Sequence, residues 1–194
     1  MMRMSEKELS QLVDFFHLAG KLKEEKRKGW VDRGVKDAES VSDHSYRMAL
    51  MALVFSKRQS LDVCKCVKMS LVHDLPEAIC GDVATRIKEE LQKIPNREKE
   101  ERERNAMESM ASSLPEALGK EIKSLWEEFE AMQTKEARLV YELDRLEAIF
   151  QAVEYEAKGN FEVSLQEFYD YANARLENKE ARQVFELLMK QRKK

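Results

Sequence analysis

Six glycines and three prolines in 194 residues leave this chain few of the residues that break helices or form hairpin turns. Apolar residues instead recur every three or four positions over long stretches, which is the spacing of one face of an α-helix. A length of 194 residues is enough for one domain with a proper hydrophobic core. The sequence therefore predicts an all-α fold, with residues 1–194 in a single domain.

The composition indicates the environment and the kinds of partner. Hydrophobic residues make up 43% and charged residues 37%, with a net charge of −3, which is typical of a soluble globular protein without a basic face. Nucleic acid is therefore not an expected partner. No stretch reaches the ~18 consecutive apolar residues of a membrane span, and the N-terminus lacks the apolar segment of a signal peptide. Three cysteines fit a reducing compartment, so we expect a cytoplasmic protein.

Amphipathic segments and capping residues predict the helices of the first half of the chain. The first helix is expected from Ser5 to about Glu25, where apolar residues follow helical spacing. Ser42 is a suitable N-cap for the second helix, which is dense enough in apolar residues to be largely buried. A third apolar helix is expected from about Ser60 to His73.

The second half of the chain contains a charged segment and then four helices, the first of which is expected to begin at Leu114-Pro115 and to run through Phe129. Residues 88–104 are dominated by Lys, Glu and Arg, which favours a solvated surface segment but leaves a lid over a site as an alternative. Thr134 is expected to cap a long helix with a continuous apolar face. Helices over about 161–171 and 177–190 are expected to close the chain, and the basic tail 190–194 is expected to fray.

Protic residues within or beside strongly apolar helices are the strongest functional signal: His44, His73, Asp74 and Asp144. An ionised carboxylate in a helical core needs a partner, because desolvation costs several kcal/mol. A divalent cation would be such a partner, and a mixed imidazole and carboxylate set suits Mn²⁺, Fe²⁺, Co²⁺ or Zn²⁺. Taken one at a time, these residues also fit helix caps or surface ion pairs, so the metal site depends on all of them together.

The sequence around these residues resembles that of the HD-domain metal-dependent phosphohydrolases, which have an H…HD…D pattern. The segments ESVSDHSYRMA (39–49), VHDLPEAICGDV (72–83) and ELDRLE (142–147) are similar to the 5′-deoxynucleotidase branch, the YfbR-like enzymes and their eukaryotic relatives. The resemblance covers about residues 9–171 and implies an HD-domain helical bundle. It also implies that the four protic residues named above bind one divalent metal ion.

The resemblance further assigns roles to residues near the metal site. Glu77 would act on the attacking water as its base or orienting group, and Asp82 would lie beside the scissile phosphate and handle the leaving-group proton. Thr85 would contact the nucleotide. In the segment RKGW (27–30), Arg27 would bind the phosphate, and Trp30 would pack against the sugar in the space that a 2′-hydroxyl needs. Each of these residues also has a purely structural interpretation, such as a helix first turn or a core edge.

The function implied is hydrolysis of deoxyribonucleoside 5′-monophosphates to a deoxynucleoside and phosphate, by a protein that forms a homodimer. Only three histidines are present, which argues against a two-metal phosphodiesterase that needs additional ligands. Two alternatives stay open. One is hydrolysis of another nucleotide phosphoester, such as a nucleoside triphosphate, a dinucleoside polyphosphate or a guanosine alarmone, although the sequence shows few further cations for a longer phosphate chain. The other is a non-catalytic helical binding module.

Overall fold

The computed structural model describes residues 4–86 and 92–192, and its regular structure in these ranges is helical. The helices are α1 (Glu6–Gly20), α2 (Lys28–Val31), α3 (Val41–Arg58), α4 (Val63–Val72), α5 (Glu77–Cys80), α6 (Asn96–Ser112), α7 (Glu116–Ala131), α8 (Lys135–Lys158), α9 (Gln166–Asn173) and α10 (Lys179–Arg192), with a 3₁₀ turn at Lys21–Lys23. One isolated antiparallel bridge, between Lys26 and Ser40, is the β-type pairing within the described ranges. The predicted all-α class is confirmed. No helix in the described ranges is both long and apolar enough to cross a bilayer.

Helix α8 forms the centre of the larger hydrophobic core, because apolar residues recur around its buried faces. Helices α3, α4, α9 and α10 pack against it, and a second apolar cluster joins α1, α5, α6 and α7. The α8 side chains at the centre of the larger core are fully or almost fully buried: Leu139, Val140, Leu143, Leu146 and Ile149. Burial of such side chains contributes about 1.5–3 kcal/mol each. Thr134 caps α8 as predicted, accepting a hydrogen bond from the Ala137 amide at 3.1 Å.

The N-cap of α3 is Ser40, so the prediction of Ser42 was wrong by two residues. Ser40 Oγ accepts from the Asp43 amide at 3.1 Å, and Asp43 Oδ2 accepts from the Ser40 amide at 2.8 Å. This reciprocal pair is a capping box, which requires the three-residue spacing that Ser40 and Asp43 have. Because α3 begins at Val41, His44 lies at the end of its first turn.

The ends of three other predicted helices also differ. The first helix ends at Gly20 and continues only as the 3₁₀ turn. The predicted helix over 161–171 begins at Gln166, because the amides of Glu162 and Val163 donate to the Arg33 carbonyl at 2.9 and 3.0 Å. The basic tail is helical as far as Arg192, whose guanidinium pairs with Glu156 at 2.7 Å, so the predicted fraying does not extend to this residue.

Helices α6 and α7 approach each other closely at Gly119. A Cβ atom at this position would lie 2.1 Å from the backbone oxygen of Ala111, so a side chain would force the helices apart. We expect Gly119→Ala to lower the free energy of unfolding by about 2–3 kcal/mol in urea titrations, as overpacking does. Gly20 has no atom within 4 Å of the equivalent point, so Gly20→Ala should be neutral or stabilising. Equal losses in both variants would contradict this explanation.

Candidate metal and phosphate site

A cavity of about 400 Å³ lies where α2, α5 and the first turns of α6 face α7, α8 and α9. Every residue that the sequence predicted for the site lines this cavity, except His44, which is fully buried behind it. The charged segment over 88–104 contributes Asn96, Lys99 and Glu103 to the lining, so the start of α6 is not only a solvated surface. Residues 88–91 of that segment lie outside the described residues.

Three helices bring the predicted metal ligands together. His44 is on α3, His73 and Asp74 are at the C-terminal end of α4, and Asp144 is in the middle of α8. The ligand atoms of His44, His73 and Asp144 lie within 4.8 Å of one another. Asp74 Oδ2 lies 3.0 Å from His73 Nε2 and 3.8 Å from His44 Nε2, so it faces the same point.

Hydrogen bonds of the Nδ1 atoms of His44 and His73 orient both rings so that their Nε2 atoms face the point where the predicted ligand atoms meet. His44 Nδ1 pairs with Glu147 Oε2, and His73 Nδ1 donates to the Ser70 carbonyl at 2.9 Å. Both Nε2 atoms therefore face inwards, 3.3 Å from each other. Two unprotonated ring nitrogens at this distance repel each other unless a cation or a proton lies between them.

The charges around this point favour a positive species. Burial and the nearby Arg27 lower the pKa of His44, but the carboxylates of Glu147 and Asp144 outweigh them and raise it to about 10. Burial alone would raise the pKa of Asp74, yet His73, His44 and Arg27 hold it well below its usual range. The same balance keeps the pKa of Asp144 low, with Arg145 as the largest opposing influence. A divalent cation can take the place of the proton on His44, so these residues fit a metal ion.

Glu77 lies one helical turn beyond Asp74, at the start of α5. The side chain is buried, and its Oε2 atom has no hydrogen-bond partner among the described residues. Burial, together with the negative charges of Asp74 and Asp82, raises the pKa of Glu77 well above the ordinary value of 4.5. A buried carboxylate oxygen without a partner is costly, so Oε2 of Glu77 is an acceptor available to a molecule in the cavity.

Asp82 and Thr85 lie on the segment that follows α5. The Asp82 carboxylate accepts a hydrogen bond of 2.5 Å from the Lys28 amide, at the first residue of α2. The Asp82 amide donates to Glu25 at 3.3 Å, so the residue connects this segment to the start of α2. Thr85 is exposed at the edge of the cavity.

Arg27 is the N-cap residue of α2, and Trp30 lies within this short helix. The Arg27 guanidinium is 3.6 Å from Asp74 and 3.9 Å from Asp144, so it faces the same centre as the histidines. Trp30 is fully buried, stacks on Phe168 with ring centroids 4.0 Å apart, and donates its indole N–H to Glu39 at 2.8 Å. Trp30 is therefore a core residue that also forms part of the cavity wall.

Several cavity residues were not predicted from the sequence. Lys99, Arg86 and Arg145 bring three further cations to the lining, so the sequence argument against longer phosphate chains counted too few of them. Arg86 pairs with Asp32 at 2.6 Å, and Arg145 pairs with Asp144. Lys99 Nζ is 3.4 Å from Glu103. The spacing of Lys99 and Glu103 suggests only a surface pair, and the packing of α6 is what places them at the cavity.

Comparison with known proteins shows the family to which the chain belongs. The family profile described as HD domain matches residues 19–185. A bovine protein named 5′-deoxynucleotidase HDDC2 is 46% identical over 167 residues, which cover 86% of this chain and 78% of the bovine protein. The solved structure of a conserved hypothetical protein from Pyrococcus furiosus superimposes with a TM-score of 0.74, at 35% identity, over 94% of this chain and 99% of that one.

A further solved structure, from Magnetospirillum magnetotacticum, is described as a predicted metal-dependent phosphohydrolase. It is 27% identical, with a TM-score of 0.71, and the match covers 96% of this chain and 97% of that one. The helical fold, the clustered histidines and aspartates, and the profile match define the class: the chain belongs to the HD-domain family. Within that family it is similar to the relatives named 5′-deoxynucleotidase, which include human and fission-yeast proteins at 46% and 36% identity.

Proposed function

We propose that this chain is a metal-dependent 5′-deoxynucleotidase, which hydrolyses deoxyribonucleoside 5′-monophosphates to a deoxynucleoside and inorganic phosphate. The convergence of His44, His73, Asp74 and Asp144 on one point is the observation that carries the proposal. The names of relatives at 40–46% identity support the substrate class.

These four side chains would hold one divalent ion, for which Mn²⁺, Co²⁺, Fe²⁺ and Zn²⁺ suit the mixed N/O donors. Such an ion supplies positive charge for the phosphoryl oxygens and acidifies water at neutral pH. The two Nδ1 hydrogen bonds support this assignment, because they leave both Nε2 lone pairs free to bind it.

Glu77 takes the proton of the attacking water in this proposal. Its Oε2 atom, which has no partner among the described residues, is available as an acceptor. The raised pKa makes its carboxylate a stronger base, although Lys99 and Arg27 partly oppose the larger effect of burial. The water oxygen attacks phosphorus as the bond between phosphorus and the sugar O5′ breaks. Asp82, beside the scissile phosphate, relays to O5′ the proton that Glu77 took from the water, so that the deoxynucleoside leaves as a neutral alcohol.

Arg27 and Thr85 bind the substrate in this proposal. Arg27 neutralises the charge that develops on the phosphoryl oxygens, and its guanidinium already faces the centre at 3.6 Å from Asp74. Thr85, at the exposed edge of the cavity, contacts the nucleotide.

Sugar selectivity is assigned to the wall formed by Trp30. The indole cannot move aside easily, because Phe168 stacks on it and Glu39 accepts its N–H. A rigid wall beside the sugar would exclude the 2′-hydroxyl by steric conflict.

Phosphate release from paired deoxyribo- and ribonucleoside 5′-monophosphates tests the proposed function. With Mn²⁺ or Co²⁺ present, we expect the deoxy substrates to be preferred by at least about tenfold in kcat/KM, or roughly 1.4 kcal/mol. Trp30→Phe should shrink this preference, since the smaller ring leaves room for the 2′-hydroxyl. Trp126→Phe is the matched control, because Trp126 lies in the second apolar cluster away from the cavity. Equal cleavage of both sugars by the wild type would sink the selectivity proposal, and no cleavage of either would sink the substrate assignment.

Hydrolysis of a longer phosphoester is a second candidate, favoured by Lys99 and Arg86 at the cavity. Nucleoside triphosphates, dinucleoside polyphosphates and guanosine alarmones in the same assay distinguish it. A binding module without activity would release no phosphate from any of these substrates.

The assembly and location of the protein also stay proposals. We infer a homodimer, supported by an exposed apolar stripe on α3 that consists of Tyr46, Leu50, Leu53 and Val54. Analytical ultracentrifugation of the purified protein measures its oligomeric state, and a monomer at all concentrations would contradict the homodimer. A single domain over residues 1–194, a cytoplasmic location and the lack of a nucleic-acid partner remain expectations of the sequence.

A further inference from the structure

Glu147 is a fully buried carboxylate that the proposed mechanism does not use. It lies on α8 three residues after Asp144, so both side chains leave the same side of the helix. Its Oε2 atom pairs with Nδ1 of His44, on the opposite side of the imidazole from the proposed metal position. A buried ionised group of this kind is costly unless both of its oxygens are satisfied.

Arg47 satisfies the second oxygen of Glu147. Its Nε–H donates to Glu147 Oε1 at 2.7 Å, and the rest of its guanidinium donates to Gln151 at 2.6 Å and Glu154 at 2.8 Å. Three acceptors from α8 therefore hold one arginine of α3. Because a guanidinium can only donate, Arg47 requires an acceptor at the Glu147 position.

The two histidines of the site differ in the group that orients them. His73 Nδ1 donates to a neutral backbone carbonyl, that of Ser70, at 2.9 Å. His44 Nδ1 faces a carboxylate, which is the stronger acceptor and carries a negative charge. An ionised partner of this kind fixes the ring orientation and makes the opposite nitrogen a better electron donor.

We propose, on the basis of the metal-dependent function above, that Glu147 is a positioning residue: it holds the His44 proton on Nδ1 and directs the Nε2 lone pair at the metal ion. Arg47 holds Glu147 in place for this role. The alternative is that Glu147 only joins α3 to α8, in which case its charge would affect stability without affecting metal binding.

Glu147→Gln distinguishes the two roles, because glutamine has nearly the same shape but one oxygen and one NH₂ group. Arg47 takes the amide oxygen, so the NH₂ group faces Nδ1–H of His44, and two donors then oppose each other. We expect the dissociation constant for Mn²⁺, measured by calorimetry, to rise about 10–100-fold. Glu154→Gln is the matched control, since it removes the negative charge of another acceptor of Arg47 but lies away from His44, and it should stay within about twofold of wild type.

The double variant Arg47→Met, Glu147→Gln tests the geometry itself. Without Arg47, the amide oxygen is free to turn to His44 Nδ1, so Mn²⁺ should bind more tightly than to the single Glu147→Gln variant. A double variant that binds no better would overturn the proposal. So would a folded Glu147→Gln protein that binds Mn²⁺ within about twofold of wild type. If wild type itself bound no Mn²⁺, the metal site would fail rather than the role of Glu147.

A spectroscopic measurement on the wild type covers the case in which Glu147→Gln does not fold. In Zn²⁺-loaded protein labelled with ¹⁵N-histidine, we expect His44 to bind through Nε2 and to keep a strongly deshielded Nδ1 proton. A His44 ring that binds through Nδ1, or that carries no hydrogen-bonded Nδ1 proton, would contradict the proposal.

Discussion

Replacement of Asp74 by asparagine is expected to lower kcat/KM for a deoxynucleoside monophosphate by at least about 10³-fold, which corresponds to roughly 4 kcal/mol. Asp74 Oδ2 faces both imidazoles, at 3.0 Å from His73 Nε2 and 3.8 Å from His44 Nε2. Its pKa is held below the usual range, so the group is an anion at neutral pH. Asparagine keeps the shape and removes the charge that a divalent ion requires.

Phosphate release and bound metal per chain are the two measurements for this variant. Both should fall together, while the circular dichroism spectrum stays that of the wild type. Asp62→Asn is a matched control on the same helix, because Asp62 caps α4 at its other end and asparagine is an equally good cap. A folded Asp74→Asn protein that keeps its metal and its activity would remove Asp74 from the ligand set.

Glu77→Gln is expected to have the second largest effect, a loss of about 10²–10⁴-fold in kcat with little change in metal affinity. Glutamine cannot take a proton from water, but it fills the same buried position at the start of α5. Glu100→Gln is the matched control, since Glu100 also lines the cavity but is exposed. Unchanged kcat in Glu77→Gln would contradict its role as the base.

Glu77→Gln should lower activity but should not lower the stability of the folded protein. Folding raises the pKa of Glu77 well above its ordinary value of 4.5, so the folded state becomes less stable as pH rises from 4.5 towards the raised value. Glutamine does not ionise, so the variant lacks this destabilisation. In EDTA at pH 7 we therefore expect the Tm of Glu77→Gln to equal or exceed that of wild type, with the difference vanishing below pH 4.5. A lower Tm at pH 7 would show that the ionised carboxylate is stabilised by groups other than those described.

The ligand residues were predictable because they break a local pattern. A histidine and an aspartate next to each other at the end of the apolar helix α4 are unusual enough to indicate a site. The resemblance to the H…HD…D pattern then identified His44 and Asp144 as the other ligands. Thr134 was predictable for a similar reason, since its cap contact lies within three residues.

Contacts between distant segments were not predictable in the same way. Glu147 and His44 are 103 residues apart, and only the packing of α3 on α8 brings them together. From the sequence alone, the spacing of Lys99 and Glu103 predicts a surface ion pair. Only the packing of α6 places Lys99 at the cavity. The burial of Trp30 under Phe168 likewise depends on α9, which lies more than a hundred residues later in the chain.

Removal and return of the metal ion is the most direct test of the central claim. Protein stripped with EDTA, with its metal content checked by mass spectrometry, is mixed with deoxyadenosine 5′-monophosphate and titrated with Mn²⁺ or Co²⁺. We predict no phosphate release from the stripped protein, and activity that rises and saturates at one ion per chain. Full activity in protein that contains no metal would contradict the account.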